Sequence, residues 1–172
     1  MCSKSQDNQL SPSTSLTNIL IVDDVLENIR LLSSILERHG YQTRKAISGG
    51  MALTTVAASP PSLILLDIRM PDLSGYEVCQ QLKSNPKTTH IPIIFLSAAD
   101  DVNDRIQAFQ VGGVDYITKP FMIEEVLARV QNQLTIIQAQ QTICDLNAKL
   151  EELTCFIRKI PSSIDLNKSS SN

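Results

Sequence analysis

The sequence predicts a doubly wound α/β domain: five parallel strands in one sheet, with helices on both faces. Two observations carry this. Short apolar runs alternate five times with segments of helical periodicity, and parallel crossovers place helices on both sides of such a sheet. The runs "NILIV", "LILL" and "IPIIFLS" are also nearly free of polar residues, as strands covered on both faces must be.

The elements follow in order. "NILIV" (18–22) is the first strand and runs into Asp23 and Asp24. The helix in "ENIRLLSSILERHG" puts Ile29, Leu32, Ile35 and Leu36 on one face, with Gly40 as its stop. "YQTRKAI" makes the second strand and "GGMALTTVAAS" a short helix closed by Pro60 and Pro61. "LILL" (63–66) is the third strand, and "SGYEVCQQLKS" a helix buried through Val78 and Leu82. "IPIIFLS" (91–97) is the fourth strand, "DVNDRIQAFQVG" the fourth helix ending at Gly112, and "VDYIT" (114–118) the fifth strand. A long helix starts near Met122. The α/β domain is thus expected over 18 to about 132.

Composition bounds the rest. A chain of 172 residues holds one ordinary domain plus extra elements at its ends. A formal net charge of −3 argues against a protein built to coat DNA or anionic lipid, so neither nucleic acid nor membrane is an expected partner. No apolar run approaches membrane-spanning length, and "MCSKSQDNQLSPSTS" lacks the apolar core of a secretory signal. The cysteines Cys2, Cys79, Cys144 and Cys155 form no CxxC pair, which favours a reduced, cytoplasmic setting over disulfides or zinc. Cys79 is expected to pack as a small apolar residue. Residues 1–16 and the polar tail from Pro161 are expected to be disordered, the tail as the chain's end.

The polar residues collect in one place. Asp23 and Asp24 lie just past strand one, Asp67 past strand three, Ser97 at the end of strand four and Lys119 past strand five. In a parallel sheet these ends share one edge, where open α/β folds bind ligands. Taken singly, Asp24 reads as a helix cap, Ser97 as a loop hydroxyl and Lys119 as a solvated lysine. Together they place three carboxylates beside a hydroxyl and an ammonium. A hard cation with oxygen ligands, Mg²⁺, relieves the repulsion, and no His or Cys makes a softer site. Mg²⁺, Lys119 and Ser97 then form a receptor for phosphoryl oxygens, with Asp67 as the carboxylate that accepts the group.

These residues resemble the response-regulator receiver domain of bacterial two-component signalling, through "ILIVDD", "LILLDIRMPDLSGYE", "IPIIFLSA" and "GGVDYITKPF" in family order and spacing. The resemblance implies a flavodoxin-like fold with strand order 2-1-3-4-5. It implies phosphorylation of Asp67 by a histidine kinase or phosphotransfer protein. It further implies Mg²⁺ on Asp23 and Asp24 with the backbone carbonyl of Arg69, Lys119 paired with the phosphoryl group, and a cis Lys119–Pro120 bond. Ser97 and Tyr116 match the family's switch pair, in which the hydroxyl moves toward the new oxygens and the ring fills the space it leaves. A half-buried strand aromatic is the plainer account of Tyr116. Arg69 and Ala99 occupy positions that influence phosphoryl lifetime in the family.

The resemblance leaves residues 133–160 as a helical extension of the receiver at 17–132. Leu127, Val130, Leu134 and Ile137 are expected to face the sheet. From Ile136 a second series begins: Ala139, Ile143, Leu146, Leu150, Leu153, Ile157 and Ile160, alternately three and four apart, a heptad pattern. It predicts a coiled coil that joins two copies in parallel; a single amphipathic helix folded onto its own domain is the competing account. No helix-turn-helix with a basic recognition helix is visible, so signalling through protein contacts is expected. The alternatives are the input part of a larger kinase or cyclase architecture, a phosphorylation-independent adaptor, and an aspartyl-phosphate phosphatase or phosphotransferase. Arg69 stands where that last class needs a second acid, which counts against it.

Overall fold

A computed structural model describes residues 17–98 and 102–158. The expected disorder at 1–16 and 161–172, and the expectations for Ala99 and Ile160, fall outside the described residues. The elements run β1 Asn18–Val22, α1 Leu26–Arg38, β2 Gln42–Ala46, α2 Gly49–Ala58, β3 Leu63–Asp67, α3 Gly75–Ser84, β4 Ile93–Ala98, α4 Val102–Gln110, β5 Asp115–Lys119 and α5 Ile123–Arg158. All strand pairs are parallel, in the order β2-β1-β3-β4-β5. This is the flavodoxin-like arrangement expected above.

Alternation along the strands divides the core into two faces. Leu20, Val22, Ile64, Leu66, Ile93 and Phe95 pack in one cluster with Ala52 and Val56 of α2, Val78, Cys79 and Leu82 of α3, and Ala108 of α4. Ile19, Ile21, Leu63, Leu65, Ile94 and Leu96, equally buried, point to the opposite face. That face takes the buried side chains of α1 and α5, neither of which contributes to the first cluster.

Local chemistry sets the element ends. Gly40 and Gly112 have φ of 86° and 100°, where a side chain is disfavoured. After α1, Gly40 N–H donates to Glu37 and Tyr41 N–H to Leu36. After α4, Gly112 N–H donates to Phe109 and Gly113 N–H to Ala108. Both are Schellman endings, so the two predicted glycine stops share one mechanism. β4 begins at Ile93 rather than at the expected Ile91, since Pro92 has no N–H to give the sheet.

The chain divides into two compact units between Leu134 and Thr135. Within the first, α5 buries Val126, Val130, Gln133 and Leu134, whereas Leu127 is only half-buried. The expected sheet-facing set is therefore corrected at two positions: the i, i+4, i+7, i+8 stripe starts at Val126, Leu127 lies on its margin, and Ile137, only half-buried, falls in the second unit. In the second unit the helix carries Ile143, Leu146, Leu150, Leu153 and Ile157, all more than half exposed. No helix among the described residues is long and apolar enough to cross a membrane.

Candidate functional site

Register brings the site together. Val22 pairs with Leu66, which sets Asp23 beside Asp67; Asp67 pairs with Leu96, and Ala98 with Lys119. Asp23, Asp24 and Asp67 each offer a carboxylate oxygen, and these oxygens lie within 4.8 Å of one another. Asp23 and Asp67 are buried, at 0% and 5% exposure, while Asp24 faces solvent. Three oxygen donors of one charge, without His or Cys, match the chemistry of a hard divalent cation.

Lys119 supplies the positive charge. Its Nζ donates to Asp67 Oδ1 at 2.8 Å and to Asp23 Oδ2 at 2.9 Å, and the Lys119–Pro120 bond is cis. Burial pushes the Asp67 carboxyl above its ordinary pKa; Lys119 opposes the rise, and the charges of Asp23 and Asp24 add to it. For Lys119, burial pulls the ammonium down, but the two carboxylates outweigh it and its pKa is raised. The carboxylates thus hold the lysine charged.

Asp24, Asp67, Arg69, Ser97 and Lys119 line a common cleft of about 200 Å³. Ser97 is nearly covered, with its Oγ 3.4 Å from the Ala98 carbonyl. Tyr116 is not among the cleft residues. It is half-buried, and its ring centroid lies 4.6 Å from the Arg105 guanidinium carbon and 5.3 Å from that of Arg129. The Phe109 ring stands nearly perpendicular to it, at 83°, with a centroid distance of 6.2 Å. Asp24 is not the cap of α1, whose first helical turn follows Val25.

Three residues passed over in the sequence reading also shape the site. Asn28 Nδ2 donates to both oxygens of Asp23, at 3.1 and 2.9 Å. Gly75 N–H donates to Ile68 O at 2.9 Å, and a Cβ there would stand 2.2 Å from the Asp67 carbonyl oxygen. Only glycine lets the loop close against the strand end. The Ser-x-x-Glu pattern around it was the available signal: Ser74 and Glu77 form a capping box that starts α3. Asp72 accepts from Gly49 N and Gly50 N at 3.1 and 2.9 Å, tying the same loop to the start of α2. Cys79 is buried as expected, and burial pushes its thiol up to about 11.

The chain is similar in sequence and in fold to known proteins. Over 133 residues, 77% of this chain and 30% of the relative, it is 42% identical to a probable cyclic di-GMP phosphodiesterase of Vibrio cholerae. It is 41% identical over 114 residues to the response regulator PleD of Caulobacter vibrioides, covering 66% of this chain and 25% of PleD. The chain therefore spans about a quarter to a third of the length of these relatives. The crystal structure of a putative response regulator from Chloroflexus aurantiacus superposes with a TM-score of 0.68 at 34% identity, covering 70% of this chain and 98% of the other. The model of the response regulator receiver domain matches residues 19–131. This chain belongs to the response regulator receiver domain family.

Proposed function

We propose that the chain is a phosphorylation-controlled switch whose phosphoacceptor is Asp67. The observation that carries the reading is Lys119 hydrogen-bonded to Asp67 and Asp23 at the edge where three carboxylates converge. Asp23, Asp24 and Asp67, with the Arg69 carbonyl, would hold Mg²⁺, which supplies charge for the phosphoryl oxygens. A carboxylate oxygen of Asp67 attacks phosphorus and the phosphohistidine P–N bond breaks, the imidazole leaving with the electron pair. Lys119 and the Ser97 hydroxyl meet the oxygens that arrive on Asp67. The donor is a histidine kinase or phosphotransfer protein, and a cytoplasmic setting follows from that partnership.

Tyr116 is the proposed relay. With Arg105 and Arg129 both against its ring, it would leave that position as Ser97 moves toward the phosphoryl group and change the surface of α4, β5 and α5. The output is protein contact, with two copies joined through 136–160. What supports the dimer is the exposed aliphatic series at three- and four-residue spacing in the second unit, Ile143 through Ile157. Beryllofluoride with Mg²⁺ tests the switch: it is expected to perturb the resonances of Ser97 and Tyr116 in wild type and not in Asp67→Ala.

The chain's small share of its relatives supports a second reading, that it is the input part of a longer signalling chain. On that account the helix leads to an output unit. The acceptor chemistry is the same in both.

A further inference from the structure

Asp23 is the most buried of the three carboxylates, and its charge is met by four hydrogen bonds from three neighbours. Val25 N–H donates to Oδ1 at 2.8 Å and Lys119 to Oδ2 at 2.9 Å. Each of these two donors reaches one oxygen only. Asn28 differs. From the first turn of α1 its amide nitrogen reaches back and bridges both oxygens, a third anchor that touches the whole carboxylate at once. A carboxylate only accepts, so the NH₂ side of the amide must face it.

We propose that Asn28 is the positioning residue that sets Asp23 for its divalent cation, an inference that rests on the Mg²⁺-dependent function proposed above. A neutral donor suits this place. It orients the carboxylate without cancelling the negative charge that attracts the cation, as a lysine or arginine there would. It would also keep its hold on both oxygens of Asp23 were the cation to displace Lys119. Partners that orient a metal ligand from behind commonly set affinity by 10- to 100-fold, roughly.

The test is calorimetric titration of Mg²⁺ into the full chain, paired with labelling by acetyl phosphate across Mg²⁺ concentrations. Asn28→Ala removes the donor and both its contacts; Asn28→Leu removes it while keeping roughly the side chain's volume, should the alanine variant fold poorly. Both are expected to bind Mg²⁺ about tenfold more weakly. The Mg²⁺ needed for half-maximal labelling should rise by the same factor, with the rate at saturating Mg²⁺ unchanged. Unchanged Mg²⁺ affinity in the folded variants overturns the inference, and so does a slower rate at saturation without a shift in Mg²⁺ demand. Wild type that neither binds Mg²⁺ nor accepts the label overturns the proposed function itself, and this inference with it.

Discussion

Lys119 Nζ stands between Asp23 Oδ2 and Asp67 Oδ1, at 2.9 and 2.8 Å, and so joins the ends of β1 and β3 from a residue that closes β5. One ammonium holds two buried carboxylates that would otherwise repel.

Replacing that cation should destabilise the domain until a divalent ion takes its place. Breaking one side of a buried ion pair costs roughly 3–5 kcal/mol. With the Lys119 side chain 25% exposed, Lys119→Met is expected to cost less, about 2 kcal/mol. Urea denaturation in a chelator reads the loss. Added Mg²⁺ should then raise the midpoint of the variant more than that of wild type.

Gly75→Ala should damage both the fold and the site. Its Cβ would fall 2.2 Å from the Asp67 carbonyl oxygen, a backbone atom that cannot swing aside. Overpacking of this kind costs about 1–3 kcal/mol, and the strand end must shift. The denaturation midpoint and acetyl phosphate labelling should both fall, whereas Gly50→Ala, in a helix and with its nearest neighbour 3.6 Å away, should lower neither.

Asp72 gives a pH dependence of known sign. Backbone N–H groups of Gly50, Leu73 and Gly49 hold its carboxyl down to about 2. A carboxyl depressed on folding contributes stability that is complete above its unfolded pKa, near 3.9, and lost as pH falls toward the folded value. The Asp72→Asn variant should lack the part of the stability loss that wild type shows between about pH 4 and 2. Denaturation midpoints across that range measure it.

The extension makes a separate prediction. Leu150 is 60% exposed in the second unit, in the middle of the aliphatic series. If that series joins two copies, Leu150→Asp should halve the molar mass seen by light scattering, and deletion of 136–172 should do the same. An unchanged mass would remove the coiled-coil proposal.

The fold was legible because its signals are local or periodic. Continuous apolar runs marked β1, β3 and β4, and Gly40 and Gly112 marked helix ends by a backbone conformation few other residues adopt. The gathering of Asp23, Asp24, Asp67 and Lys119 at one edge followed from strand parallelism alone. What was hidden depends on contacts between elements. Asn28 reads as an ordinary polar position on α1 until Asp23 is seen behind it. Asp72 reads as a loop acid until the start of α2 is placed beside it. The shift from Leu127 to Val126 reflects how α5 rolls on the sheet, which periodicity leaves uncertain by one residue when both neighbours are apolar.

The central claim is that Asp67 accepts the phosphoryl group, and the most direct measurement is peptide mass spectrometry after incubation with acetyl phosphate and Mg²⁺. The account predicts one Mg²⁺-dependent phosphoryl group, in the peptide that carries Asp67, and none in Asp67→Ala. Labelling that persists at full extent in Asp67→Ala, or that appears elsewhere in the wild type, would contradict it.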